Sequence, residues 1–318
     1  MAGNFADRLI AAIQKKNTPA FVGIDPVYGR LPATIRENRE LNDESDMEAA
    51  ADAVYEYGTK LIKAVAPHVA GVKINVAFFE PYLWEGLEVF HNLLAEARAY
   101  DLITIADIKR GDVGHSAERY AAAHSADLDF VQLDSSSAAD AITVNGYFGQ
   151  DCVWPFVQQA AASGRGVFVL VRTSNPSAVS IQDLPTVDGK TVAEHMAMLT
   201  GQWAAVEGLS GLSGYSSVGG VVGCADAGQV ERIRAAMPNS FMLVPGYGTQ
   251  GLGIEQIRPY FKSDGLGAIV SSSRSIIYAY EDEARLEAAG GDWEKCVAAA
   301  AEQFKNELAR ALPAVQEA

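Results

Sequence analysis

Several features that mark whole classes of protein are scarce in this chain. Its 318 residues include three scattered cysteines, Cys152, Cys224 and Cys296, a pattern that favours buried thiols in a reducing compartment over disulfides or a metal site. The five histidines show no metal-ligand spacing. No apolar run approaches the roughly 20 residues of a membrane-spanning helix, and residues 1–8 lack the basic-then-apolar pattern of a signal peptide. We therefore expect a cytoplasmic protein with no metal site and no membrane partner.

Positive charge is also in deficit. Lysine and arginine together number 25, against 40 aspartates and glutamates, which gives a formal net charge of -15. Phosphate backbones and anionic lipids are bound by basic surfaces, so this balance argues against a nucleic-acid or membrane partner. A local pocket can still bind an anionic small molecule against the overall field. The 49% hydrophobic content is that of an ordinary globular protein with a large core.

Apolar segments recur regularly along the chain and alternate with segments of helical periodicity. Most of them are continuously apolar, which is typical of parallel strands covered by helices. Eight such units suit a (β/α)8 barrel better than an open sheet, and no G-x-G-x-x-G motif follows the first strand. We predict one α/β barrel domain over 1–318, with an N-terminal helix, a C-terminal helix from Trp293 to Leu312 and a possible insertion near 201–218. The predicted strands are 19–26, 71–76, 102–108, 141–145, 166–172, 220–223, 241–245 and 268–272.

A charged segment, Asp107 to Asp112, follows the third predicted strand. In an extended chain Asp107 and Lys109 point to the same face, whereas Asp112 lies beyond the turn at Gly111 and can face elsewhere. The segment could simply be a solvated loop before the next helix. An acid and a base at the mouth of an apolar strand are costly unless they are paired or used, however, so we interpret the segment as catalytic.

Polar residues at the ends of other strands predict a binding site. Catalytic groups of a (β/α)8 barrel lie at the carboxyl ends of its strands, and the loops after strands seven and eight commonly bind phosphate. Glycines in 245–251 would let backbone N–H groups approach an anion, and Arg274 could bind it bidentately. A tight turn with a surface arginine is the alternative. The candidate residues are Asp25, Lys73, Ser174, Gly248, Gln250 and Arg274.

Together these motifs resemble the orotidine 5'-phosphate decarboxylases, particularly their longer bacterial (type 2) subfamily. The resemblance extends from the segment at Asp25 to the one at Arg274 and so spans essentially the whole chain. Four segments in the right order, each at a predicted barrel mouth, carry it. They are 72–80, 107–112, 173–176 and 245–251.

The resemblance implies a fold, a reaction and an assembly. It implies cofactor-free decarboxylation of orotidine 5'-monophosphate to uridine 5'-monophosphate in de novo pyrimidine synthesis, in which Lys109 protonates C6 and Asp107 lies beside the substrate carboxylate. A homodimer is implied, with Asp112 and Ser116 contributed across the interface to the partner's site.

It also implies roles in substrate binding. Asp25 and Lys73 would hold ribose hydroxyls, and Lys73 would join Asp107, Lys109 and Asp112 in a network of alternating charge. Ser174 would contact the pyrimidine. Gln250 and Arg274 would bind the phosphate.

Two other classes share parts of this pattern. Hexulose-phosphate synthases and ketogulonate-phosphate decarboxylases share the D-x-K-x-x-D barrel but resemble metal-dependent enzymes whose second strand ends in an acid. Lys73 would repel a cation at that place. A non-catalytic barrel that only binds a phosphorylated ligand is the other alternative. It would not need two lysines and two acids interleaved at one mouth.

Overall fold

The computed structural model describes residues 3–37, 46–125, 138–224, 226–248 and 254–313. Within these ranges eight parallel strands pair in sequence order, and the last pairs with the first to close a barrel. The predicted single-domain (β/α)8 barrel is therefore confirmed. The strands are β1 (Ala20–Ile24), β2 (Gly71–Asn75), β3 (Ile103–Arg110), β4 (Ala141–Val144), β5 (Gly166–Arg172), β6 (Ser216–Val222), β7 (Ser240–Val244) and β8 (Ala268–Ser272).

Helices connect successive strands and cover the outside of the barrel. The helix from Met47 to Val65 begins at an N-cap, where the Asp46 side chain accepts a hydrogen bond from Ala49 N–H. None of the helices in the described ranges is long and apolar enough to cross a membrane. The helices are α1 (Phe5–Lys16), α2 (Ala33–Arg36), α3 (Met47–Val65), α4 (Leu83–Ala99), α5 (Gly114–Ser125), α6 (Gln150–Ser163), α7 (Val192–Ala204), α8 (Ala227–Ala236), α9 (Ile254–Ile257), α10 (Arg274–Ile277), α11 (Glu283–Ala288) and α12 (Trp293–Ala311).

Strand side chains alternate between two apolar clusters, even in β1, where every position is buried. In β1, Val22 and Ile24 pack outward against the helices, whereas Phe21 points into the barrel. At the amino end of the barrel, Phe5 of α1 packs edge-on against Phe168, with ring centroids 5.9 Å apart. The helix α1 therefore closes the amino end, and polar groups are left to collect at the carboxyl end.

The sixth strand begins earlier than the sequence suggested. The predicted strand starts at residue 220, but Ser216 and Ser217 are already buried within β6. Glycine is required at position 219, because a Cβ there would lie 2.5 Å from the Phe241 carbonyl oxygen. Residues at both ends of the predicted insertion near 201–218 thus belong to α7 and β6, and an insertion between them stays a prediction. The segment 126–137 lies outside the described residues.

Candidate active site

A bulge in β3 shapes the charged segment. Ala106 pairs with Ile142 of β4 and Arg110 pairs with Val144, so residues 107–109 face the single residue Thr143. The strand therefore continues to Arg110, two residues beyond its predicted end. Lys109 within the bulge has a φ of 47°, in the left-handed region that non-glycine residues seldom adopt. Such conformations concentrate at functional sites, because the surrounding structure must hold them in place.

The side chains of the bulge and of β2 form a chain of alternating charge. Lys109 Nζ donates to Asp107 Oδ1 at 2.7 Å, and Lys73 Nζ donates to Asp107 Oδ2 at 2.7 Å. Asp107 Oδ1 also accepts from the Thr143 hydroxyl at 2.8 Å. The predicted meeting of Asp107 and Lys109 is confirmed, and Lys73 joins them from the middle of β2.

Burial and charge act in opposite directions on these groups. Burial alone would raise the pKa of Asp107, but Lys73 and Lys109 hold that pKa well below its ordinary value. Burial likewise opposes charge on Lys73, yet Asp107 and Asp25 raise the pKa of Lys73 above its ordinary value. Both groups are therefore ionised at neutral pH. The Lys109 side chain remains 46% exposed and can meet a ligand.

These residues lie on the wall of a pocket of about 420 Å³ at the carboxyl end of the barrel. The pocket unites six predicted site residues, namely Asp25, Lys73, Asp107, Lys109, Ser174 and Arg274. A buried oxygen of Asp25, Oδ1, has no hydrogen-bond partner within the described residues. Since a buried carboxylate oxygen without a partner is costly, this atom is a candidate to accept a hydrogen bond from a ligand hydroxyl.

The predicted anion side of the pocket lies between β7, β8 and their loops. Pro245 and Gly246 after β7 face Ser273 and Arg274 after β8. Arg274 is the first residue of α10, and the Ser273 hydroxyl donates to the Gly23 carbonyl oxygen at 3.0 Å. An arginine beside glycine-rich backbone is suited to a phosphate group.

Other predicted residues lie elsewhere. Asp112 and Ser116 are not among the described residues that line the pocket. The Asp112 side chain accepts a hydrogen bond from Val113 N–H, and Ser116 is exposed on α5. Gly248 lines a smaller cavity of about 120 Å³ beside Tyr247. Gln250 lies outside the described residues. The roles of these four residues stay predictions.

Sequence reasoning missed two residues of the site. Asn75, the last residue of β2, lines the pocket. Thr143 is fully buried. Its hydroxyl donates a hydrogen bond to Asp107 and accepts one from the backbone N–H of Lys109 at 3.0 Å. The available signal was a single hydroxyl within the otherwise apolar strand β4, a place where polar groups are buried only with partners.

The described residues of the pocket offer a poor set of ligands for a metal ion. Over the ranges that the structure covers, no three His, Cys, Asp or Glu side chains gather as metal ligands would. In the pocket, both oxygens of Asp107 already accept hydrogen bonds from ammonium groups. Hard cations bind carboxylate oxygens, so the two lysines compete directly with a metal at this carboxylate.

Fold and site together define a class: a (β/α)8-barrel protein whose pocket is lined by lysines, aspartates and an arginine. Residues 46–289 match the sequence model of the orotidine 5'-phosphate decarboxylase / HUMPS family. The chain belongs to this family.

Several orotidine 5'-phosphate decarboxylases match nearly the whole chain. It is 38% identical to an orotidine 5'-phosphate decarboxylase of Caldicellulosiruptor saccharolyticus, over 97% of this chain and 99% of the relative. It is 36% identical to one of Rhodopirellula baltica, over 96% and 98% of the two chains. The solved structure of Leishmania donovani OMP decarboxylase matches with a TM-score of 0.70 and 26% identity, covering 96% of this chain and 98% of that one.

Proposed function

We propose that this chain converts orotidine 5'-monophosphate to uridine 5'-monophosphate and CO2, without a cofactor, in de novo pyrimidine synthesis. Family membership and the relatives named above support the reaction. The observation that carries its mechanism is the chain of hydrogen bonds from Lys73 through Asp107 to Lys109 on one pocket wall.

In the proposed mechanism Lys109 is the proton donor. The bond between C6 and the carboxylate carbon breaks, CO2 leaves, and the electron pair remains at C6. The Lys109 ammonium stabilises this developing negative charge and then gives C6 a proton. Solvent returns a proton to Lys109, whose side chain is 46% exposed. Asp107 holds the ammonium in place through its 2.7 Å hydrogen bond and lies beside the substrate carboxylate.

Groups far from C6 bind the substrate. Arg274 binds the phosphate, Asp25 and Lys73 bind ribose hydroxyls, and Ser174 contacts the pyrimidine. These residues line the same pocket, and Asp25 has a buried oxygen without a partner among the described residues. Binding energy at the phosphate orients the ring over Lys109, which raises the rate beyond what one proton donor supplies.

The direct test is turnover of orotidine 5'-monophosphate in the presence of a chelator, followed as loss of pyrimidine absorbance. The proposal expects turnover that the chelator leaves unchanged. Absence of turnover by the purified, folded protein would contradict the assigned reaction. Turnover that the chelator abolishes would instead favour the metal-dependent barrel enzymes of similar pattern. The ammonium groups on both Asp107 oxygens argue against that outcome.

We also propose that the enzyme is a homodimer, with Asp112 and Ser116 of the partner subunit reaching the pocket. These two residues do not line the pocket of their own chain. Nearby, Val113 is 51% exposed and Tyr147 and Phe148 are 74% and 59% exposed. Large exposed apolar side chains are typical of protein interfaces.

A cytoplasmic location is consistent with the cysteines. Cys152, Cys224 and Cys296 are free and buried, and burial raises the pKa of each thiol. Protonated, buried thiols persist in a reducing compartment. We therefore propose that the protein acts in the cytoplasm.

A further inference from the structure

We propose that Thr143 is a positioning residue, which sets the backbone of Lys109 so that its ammonium group reaches C6. This inference rests on the proposed function, because it assigns a purpose to the conformation of the proposed proton donor. Thr143 lies on β4 and is fully buried.

The bulge leaves Thr143 alone opposite the reactive segment. Its neighbours Ile142 and Val144 pack into the outer core and pair with Ala106 and Arg110 at the two ends of the bulge. Side chains of a strand alternate, so Thr143 points into the barrel, toward residues 107–109. Its hydroxyl therefore occupies the space where regular strand pairing is interrupted.

The Thr143 hydroxyl acts in this space both as a hydrogen-bond acceptor and as a donor. It accepts from the Lys109 N–H at 3.0 Å and donates to Asp107 Oδ1 at 2.8 Å. The same Oδ1 accepts from Lys109 Nζ at 2.7 Å. Thr143 thus fixes Lys109 at its backbone and, through Asp107, at the end of its side chain.

The left-handed backbone of Lys109 makes this contact necessary. A lysine with a φ of 47° is held against its steric preference and needs surrounding contacts to stay there. Without the hydroxyl, the Lys109 N–H loses its acceptor, and the backbone can relax toward an extended conformation. The ammonium group then moves away from C6, while the phosphate and ribose contacts on other strands remain. Catalytic rate should fall and substrate affinity should not.

The test compares three variants with the wild-type protein. Thr143→Val keeps the shape and removes the hydroxyl, and Thr143→Ser keeps the hydroxyl. Thr104→Val is the matched control, because Thr104 is also fully buried on the barrel and donates its hydroxyl to an aspartate, Asp140, at 3.0 Å. Thr104 does not line the pocket.

For Thr143→Val we expect kcat to fall by about tenfold to a hundredfold, the loss typical of a misplaced catalytic group. The KM for orotidine 5'-monophosphate and the Kd for uridine 5'-monophosphate should stay within about twofold of wild type, since their contacts are intact. Thr143→Ser should restore kcat to within a few-fold. Thr104→Val should lower thermal stability and leave kcat unchanged.

Three results would overturn the inference. The first is an unchanged kcat in Thr143→Val. The second is a parallel loss of kcat and of nucleotide affinity, which would indicate a general structural role. The third is a Thr143→Ser protein as slow as Thr143→Val. If wild-type protein binds uridine 5'-monophosphate but does not decarboxylate, the proposed function itself fails, and this outcome is separate from all three.

Discussion

The Asp107 carboxylate accepts hydrogen bonds from two lysines and a threonine although its side chain is only 7% exposed. Charges are tolerated at such depth only when they are paired. Asp107 is therefore both a structural acceptor and the group that orients Lys109. Its replacement should affect stability as well as catalysis.

Asp107→Asn should lower the free energy of unfolding by about 3 kcal/mol at pH 7, because Lys73 is left without its main buried partner. The lysines depress the pKa of Asp107 in the folded state, so its ionisation stabilises the fold above the unfolded-state pKa of about 4. That contribution is lost as pH falls from about 4 toward the folded-state pKa. Urea unfolding at pH 7 and pH 3 should show the difference between wild type and variant shrinking in acid. A difference that is constant with pH would contradict the assignment.

Arg274→Ala should reduce kcat/KM for orotidine 5'-monophosphate by about tenfold to a hundredfold, the cost of losing hydrogen bonds to a charged group. The matched control is Arg310→Ala, which removes an exposed arginine of α12 that does not line the pocket. Steady-state kinetics of the two variants provide the measurement. Equal activity in both would remove Arg274 from the phosphate site.

At the scale of elements, the strand β3 shows where sequence reasoning succeeds and where it stops. Its apolar run predicted a strand that ends in a catalytic segment, and Asp107 and Lys109 do meet. Period-two alternation could not predict the bulge, because the register depends on β4 and on the hydroxyl of Thr143. Likewise, Ser216 and Ser217 have weak strand preferences, and their place in β6 is determined by the barrel around them.

A substitution in the helix α1 should change stability without changing catalysis. Phe5 is 1% exposed and packs against Phe168 at the end of the barrel opposite the pocket. Phe5→Ala should lower the free energy of unfolding by about 3–5 kcal/mol, the usual cost of deleting a buried aromatic ring, with kcat unchanged. Urea denaturation and kinetics at 25 °C check both parts. Val187→Ala, at a fully exposed position, serves as the control and should change stability by less than about 0.5 kcal/mol.

The whole molecule was largely predictable because a parallel barrel has a strong sequence signature. Eight continuous apolar runs between helices indicated the fold, and the fold's chemistry at the carboxyl ends indicated which polar residues converge. The predicted role of Asp112 cannot be tested with the structure of a single chain. Its predicted role needs a second protomer, and no property of one chain's packing brings it to its own pocket.

Mixing inactive Asp112→Asn and Lys109→Ala proteins tests the shared site. If Asp112 of the partner subunit completes each pocket, a hybrid dimer contains one intact pocket, and an equal mixture should regain about a quarter of wild-type activity. Subunit exchange is verified by mass spectrometry of the mixture. No recovery in a mixture that has exchanged would show that each pocket uses only its own chain.

The proposed role of Lys109 as the proton donor at C6 is tested most directly by Lys109→Ala. The variant should bind uridine 5'-monophosphate with a Kd within a few-fold of wild type, because the phosphate and ribose contacts remain. Its release of CO2 from orotidine 5'-monophosphate should fall by about 10²- to 10⁴-fold, the range for loss of a general acid. Turnover within a few-fold of wild type would contradict the account.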